Sequence, residues 1–208
     1  IGSVAARIYR ADTDRIDYVG LYLRRRLQVV NSRNISEPEF VFSGSGSALF
    51  CRRAMLEDVR LSSEYLDDTF FAYWEDVDLA WRAQLRGGRC LFAPAAVAHH
   101  IGSASQGGQV HLVNKSAFIQ RHAWKNRYLI LTKNAPAGVL LALLPWLLLA
   151  EFLYWPYLLF RIPHRLPVFF QAHIDYLRLF RNTIQKRRCI QRNRQIGTRE
   201  VLRFFKGF

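Results

Sequence analysis

The segment Tyr65–Gly88, YLDDTFFAYWEDVDLAWRAQLRGG, places five acids, Asp67, Asp68, Glu75, Asp76 and Asp78, within twelve residues. Carboxylates crowded in this way are material for general-base chemistry, because like charges raise a carboxyl pKa from about 4 towards useful base strength. A helix is predicted from near Trp74 to Gly87-Gly88, where glycine can take the left-handed conformation of a helix end. On that helix Glu75, Asp78, Arg82 and Arg86 fall on one stripe, while Asp76 aligns with Ala80 and Ala83. Small neighbours leave space for a substrate group beside the Asp76 carboxylate. The same residues also satisfy a purely structural reading. Acids complement the positive helix N-terminus, arginines complement the C-terminus, and Asp78 to Arg82 is an i,i+4 ion pair. Arg82 is both that pair's cation and a candidate substrate-binding residue. Spacing alone permits a base at Asp76 and leaves the structural reading open.

Other candidates are less specific. Ser43-Gly44-Ser45-Gly46 is either a turn before a strand or a loop whose missing side chains admit substrate to backbone amides. It lacks the GxGxxG spacing of a dinucleotide site. Asp12-Thr13-Asp14 matches the DxD pattern of metal motifs but follows a strand-like segment, and reads as a solvated turn. Cys51, Cys90 and Cys189 are odd in number and widely spaced, which fits a reducing compartment and neither a disulfide framework nor a cysteine zinc site.

The elements that must carry these residues divide the chain near residue 135. Residues 1–134 mix short apolar runs (Ile1 to Ile8, Phe40 to Phe42, Cys90 to Ala98) with Gly, Ser and Asp punctuation, predicting strands alternating with helices in an α/β arrangement. Half of the 208 residues are apolar, enough for a sizeable core. From Ala135 to Phe160 the only charged side chain is Glu151, so the run is long enough to cross a bilayer, but Pro145 and Pro156 interrupt it. The expectation is a helix or bent helical hairpin in or on the membrane, with a buried core helix as the alternative. Residues 161–208 hold 12 of the 30 Lys/Arg against two acids, Asp175 and Glu200, so most of the formal +14 charge sits in this tail. Ile174, Leu177, Leu179, Phe180 and Ile184 alternate there with Arg178, Arg181, Lys186, Arg187 and Arg188, predicting a basic amphipathic helix on an anionic membrane surface.

Three motifs occur in order between residues 42 and 105: FSGSGSALFCRRAML at 42–56, DDTFFAYWEDVDLAWRAQLRGG at 67–88 and PAAVAHHIGSAS at 94–105. Together they resemble the second half of the GT-A catalytic domain of family 2 glycosyltransferases, especially the rhamnosyltransferase-like branch that builds bacterial polysaccharides. The resemblance implies a partial GT-A, Rossmann-like domain over 1–134 as the acceptor-side half, followed by membrane-associating helices over 135–208. It implies an inverting enzyme at the cytoplasmic face of the cell membrane, moving a sugar from a nucleotide-sugar donor to a lipid-linked or polysaccharide acceptor. The Glu75-Asp76 pair would carry the base, with Asp76 taking the acceptor's proton. Ser43 to Gly46 would lie by the sugar and acceptor. His100, with His99 as its neighbouring alternative, would serve a divalent metal, Mg2+ or Mn2+. In this reading the family's nucleotide-binding half, with its DxD motif and most of the metal ligation, precedes Ile1.

Two other classes compete. A basic nucleic-acid-binding protein would account for the charge, but the apolar run beside the basic tail argues against nucleic acid as a partner. A noncatalytic membrane anchor or scaffold would account for residues 135–208 without using the acids.

Overall fold

The computed structural model describes residues 1–11, 13–32, 35–101 and 115–207. Its centre is a mixed five-stranded sheet. Strand β1 (Ser3–Arg10) pairs in parallel with β7 (Cys90–His100), and β5 (Glu39–Val41) pairs antiparallel on the far side of β7. The other edge of β1 is shared by β6 (Leu49–Cys51), against Ser3 to Ala5, and by β2 (Ile16–Tyr18), against Ile8 and Tyr9. Strands β3 (Gly20–Arg24) and β4 (Gln28–Ser32) form a separate hairpin. The β1–β7 register slips between Ala6–Ala93 and Arg7–Val97, around Pro94, which has no N–H to give to the ladder.

Helices α1 (Arg53–Asp58) and α2 (Glu75–Leu85) lie on the crossover between β1 and β7. All of Val77 to Leu85 is buried, and Trp81, Leu85 and Val77 share one core with Phe42, Phe70, Leu129 and Ile130. The end of α2 is a Schellman motif. Gly87 is left-handed (φ 79°), its N–H reaches Gln84 O and the Gly88 N–H reaches Ala83 O.

After the sheet come α3 (Ala117–Asn134), α4 (Ala137–Arg161), α5 (Leu166–Arg192) and the short α6 (Thr198–Leu202). Ser116 caps α3 through its hydroxyl, and α3 packs along α5. The prolines do not split the apolar run. Pro145 and Pro156 both sit inside the single 25-residue helix α4, on exposed positions where a lost backbone bond crowds no neighbour. Alpha-4 is long and apolar enough to cross a membrane, and only Val139, Leu143 and Leu158 along it are buried. Alpha-5 is the expected basic helix with one correction. Arg178, Arg181 and Arg188 face outwards, but Lys186 and Arg187 turn inwards, Lys186 to Glu64 and Asp67, Arg187 to the carbonyls of Thr132 and Ala135 at the end of α3. Buried acids and unpaired helix-end carbonyls draw those two cations from solvent.

Candidate active site

The N-terminus of α2 has no Ser, Thr or Asp cap. Trp74 occupies the cap position in a left-handed conformation (φ 74°), and Phe71 and Tyr73 before it are left-handed as well (φ 62° and 66°). For bulky side chains this backbone is costly, about 1–3 kcal/mol each, and it persists only where neighbours over-determine it. Those neighbours come from α3. Asn126 directs its amide nitrogen at the carbonyls of Phe70, Ala72 and Tyr73 (2.9, 2.8 and 2.7 Å), and Lys125 donates to Thr69 O at 2.7 Å. The turn 70–74 is thereby pinned, and with it the start of the helix.

Asp76 is the best-placed of the acids. Its Oδ2 accepts the Gly46 N–H at 2.8 Å and its Oδ1 the Val77 N–H at 2.7 Å. The structure thus brings together two segments thirty residues apart that the sequence singled out separately. Gly46 has to be small: a Cβ there would stand 3.2 Å from Asp76 Cβ and 3.3 Å from Oδ2. Gln84 on the same helix donates to Phe42 O at 3.0 Å, fixing the strand end from which the loop departs. Desolvation raises the Asp76 pKa, opposed by the amides of Gly46 and Val77. Glu75 is raised too, by desolvation first and by the neighbouring Asp76 charge, and its buried Oε2 has no hydrogen-bond partner among the described residues. Each Asp76 oxygen keeps a lone pair beyond its amide bond. A desolvated carboxylate with spare acceptor capacity, beside the exposed Gly46, can take a proton from a hydroxyl.

Several expectations change. The space anticipated beside Asp76 is not made by Ala80 and Ala83, which are buried in the core, since the Ser45–Gly46 turn stands against the carboxylate instead. Acid crowding is not what raises Asp76. Asp67 and Asp78 are neutralised inside the protein: Lys133 bridges Asp67 Oδ2 and Asp78 Oδ1 (2.9 Å to the latter), and Asp78 also receives Arg82 at 2.9 Å and Asn134 at 2.7 Å. Burial works to raise Asp67, yet Lys133, then Lys186 and Thr69, hold it well below the ordinary carboxylate range. The i,i+4 pair Asp78–Arg82 is present, but in the core. Arg82 is 2 % exposed and spends its guanidinium on Asp78, Val59 O and Tyr65 O, so it is not brought to the Asp76 loop.

Of the Ser43–Gly46 loop only Gly46 is exposed. Ser43 is fully buried with its hydroxyl on Gly44 O, Gly44 packs on Ala5, and Ser45 caps the turn that follows through Ser47. His100 lies at the far end of the sheet, paired with Arg10, and its Nδ1 is 3.3 Å from Asp17 Oδ2, while His99 stacks on Tyr9. Asp12, and the end of the third motif from Gly102 to Ser105, lie outside the described residues. Among the described residues no group of three His, Cys, Asp or Glu side chains is placed to hold a metal ion, so these residues do not by themselves fit one. The residue missed from the sequence is Asn126, fifty positions from the acids it supports in an otherwise unremarkable helix.

No curated protein matches the chain significantly. The family described as "Glycosyl transferase family group 2" matches residues 18–180, most of its length, from the β2 strand through the acids and α4 into α5. With the mixed α/β fold, the pinned acid pair and that match, the chain belongs to the family 2 glycosyltransferases.

Proposed function

We propose that Asp76 is the base of an inverting glycosyl transfer. Glycosyl transfer itself follows from the family, and with it a nucleotide-sugar donor and an acceptor. In the proposed step the acceptor oxygen attacks C1 of the donor sugar while its proton passes to the Asp76 carboxylate. The bond from C1 to the phosphate oxygen breaks, and its electron pair leaves with the nucleoside diphosphate. Removing the proton during attack makes a poor nucleophile adequate. Glu75, whose Oε2 has no hydrogen-bond partner among the described residues, would accept a hydrogen bond from the acceptor's neighbouring hydroxyl. The observation that carries this reading is the desolvated Asp76 carboxylate held 2.8 Å from the Gly46 amide on a pinned helix start.

We assign residues 1–134 to the acceptor-side catalytic half and 135–208 to helices that attach it to the cytoplasmic face of the cell membrane. The acceptor is then lipid-linked or a growing polysaccharide, and rhamnose is the proposed sugar. Members of the family typically use a divalent metal, here Mg2+ or Mn2+, and no step above runs through it. The test is the Asp76→Asn variant. Turnover should fall by roughly 10²–10⁴, the usual worth of a general base, with donor binding unchanged. In the wild type the acidic limb of the pH–rate profile should lie above the ordinary carboxylate range, because the base must lose a proton it holds more tightly than usual. A variant that turns over normally while Glu75→Gln does not would move the role to Glu75.

A further inference from the structure

Three aromatic rings meet just ahead of the acids. Phe71 stacks on His122 at 5.1 Å (29° between planes), Phe118 meets His122 edge-on at 4.6 Å, and Phe71 and Phe118 are 5.8 Å apart at 88°. Phe71 is 72 % exposed and Phe118 55 %. Single exposed apolar residues are ordinary, but a cluster with two open rings is not, least of all where one ring is borne by a left-handed residue. The same helix that supplies the floor, His122, supplies Lys125 and Asn126, which clamp the carbonyls of Thr69, Phe70, Ala72 and Tyr73 on either side of Phe71. Phe71 is therefore held out rigidly, five residues before Asp76, a path that can span no more than about 18 Å even if extended. Tyr73 lies between them in sequence, and burial first and then the Glu75 charge push its phenol up.

We infer that Phe71 and Phe118, on the His122 floor, form a platform that stacks a pyranose ring of the acceptor saccharide and leads its hydroxyl to Asp76. The inference rests on the glycosyl-transfer reading above. A pyranose presents a face of C–H groups, polarised positive, that matches the negative face of an aromatic ring, while its hydroxyls point outwards from the edge. The surroundings suit such a ligand. The exposed Asp68 lies three residues before Phe71, and the ion pair Arg121–Asp175 (2.9 Å between Nη2 and Oδ1) flanks His122, giving hydroxyls both acceptors and donors. Charges in that rim oppose insertion into lipid, for which the exposed apolar side chains of α4 are far better suited.

The experiment is saturation-transfer NMR on the detergent-solubilised full-length protein with methyl glycosides of glucose, rhamnose and N-acetylglucosamine. At least one should receive saturation on its ring C–H groups, and Phe71→Ala/Phe118→Ala should weaken it about tenfold or more, equivalent to about 1.4 kcal/mol. Phe71→Trp should keep the binding, and Phe118→Ala alone, at an exposed helix start, should weaken it with an unchanged melting temperature. Glycosides that receive no saturation, or that bind the double variant as they bind the wild type, would overturn the platform. So would a double variant that keeps its glycosides and instead loses binding to phosphatidylcholine–phosphatidylglycerol vesicles, since that would make the cluster a lipid contact. Asp76→Asn is assayed separately, for the turnover that the proposed base requires. If that variant kept its turnover, the assignment of the base would fail while the platform stood on its own result.

Discussion

Replacing Lys133 with Met tests what holds the acid helix in place. Among the described residues the ions that meet beneath α2 are three acids, Glu64, Asp67 and Asp78, and three cations, Arg82, Lys133 and Lys186, whose charges balance. Lys133 is 1 % exposed and, among the described residues, is the cation that bridges Asp67 to Asp78. Lys133→Met keeps the length of the side chain and leaves one uncompensated negative charge in the core. Removing one partner of a buried ion pair costs about 3–5 kcal/mol. Its contact with the Phe70 ring, 4.6 Å from Nζ to the centroid, adds about 0.5–2 kcal/mol. Partial compensation by Lys186, Thr69 and Asn134 pulls the total back towards about 3–4 kcal/mol, within the range for breaking such a pair. Urea unfolding in detergent, followed by tryptophan fluorescence, reports it directly because Trp81 lies in the same core.

The pH dependence fixes the mechanism. In the wild type Asp67 is held below its unfolded pKa of about 3.9, so its contribution is present above that pH and is lost on acidification through the folded value. In Lys133→Met the stranded carboxylate takes up a proton more readily than in the unfolded chain, and acid relieves the variant. The stability gap between the two proteins should therefore be widest near neutrality and close as the pH falls towards 4. A loss below about 1 kcal/mol, or a gap that widens in acid, would refute the argument.

The remaining predictions concern the loop, its clamp and the membrane. Gly46→Ala should lower turnover about tenfold with little change in melting temperature, since a Cβ 3.2 Å from Asp76 displaces the loop by a few tenths of an ångström; unchanged turnover would show that the loop does not position the acceptor. Asn126→Leu leaves the carbonyls of Phe70, Ala72 and Tyr73 without their donor and should cost about 1–3 kcal/mol while increasing hydrogen exchange in residues 70–76. Salt washing should leave the protein on membranes and detergent should release it, because Leu141, Leu144, Leu148, Phe152 and Phe160 are exposed on α4 while charge contributes only the part carried by Arg178, Arg181 and Arg188; full recovery in a salt-washed soluble fraction would contradict it.

Much of the fold was legible because it is encoded locally. The apolar runs became β1, β5 and β7, and the Gly87-Gly88 stop became a helix end of the expected kind. The Asp78–Arg82 pair followed from helical spacing. What stayed hidden depends on partners far along the chain. Nothing near Lys133 or Lys186 reveals that each meets Asp67, 66 and 119 residues away, and a charge on an amphipathic helix reads as solvated until its partner is known. The left-handed turn before Glu75 was equally invisible, since Phe71, Tyr73 and Trp74 have no intrinsic reason to adopt it. Pro145 and Pro156 misled for the opposite reason. Each removes only one backbone bond, and a helix of this length tolerates the loss on an exposed face.

These hidden contacts have one property in common: they tie the acids to the helices that follow the sheet. Asn126 and Lys125 of α3 hold the turn ahead of Glu75, and Lys133 and Asn134, about two turns of helix further on, hold Asp78 within α2. Lys186 and Arg187 of α5 then bind Asp67 and the end of α3, so α5 reaches the acid helix through a continuous chain of buried ionic and hydrogen-bonded groups. Buried pairs of this kind add little net stability over apolar packing, but moving one partner leaves a charge stranded, which penalises any other arrangement of the elements. The position of Asp76 is thus set from the side of the molecule that bears α4 and α5. If those helices lie at the membrane, the proposed base is placed at a fixed height above the surface on which a lipid-linked acceptor would be presented, and a soluble acceptor would gain nothing from that arrangement.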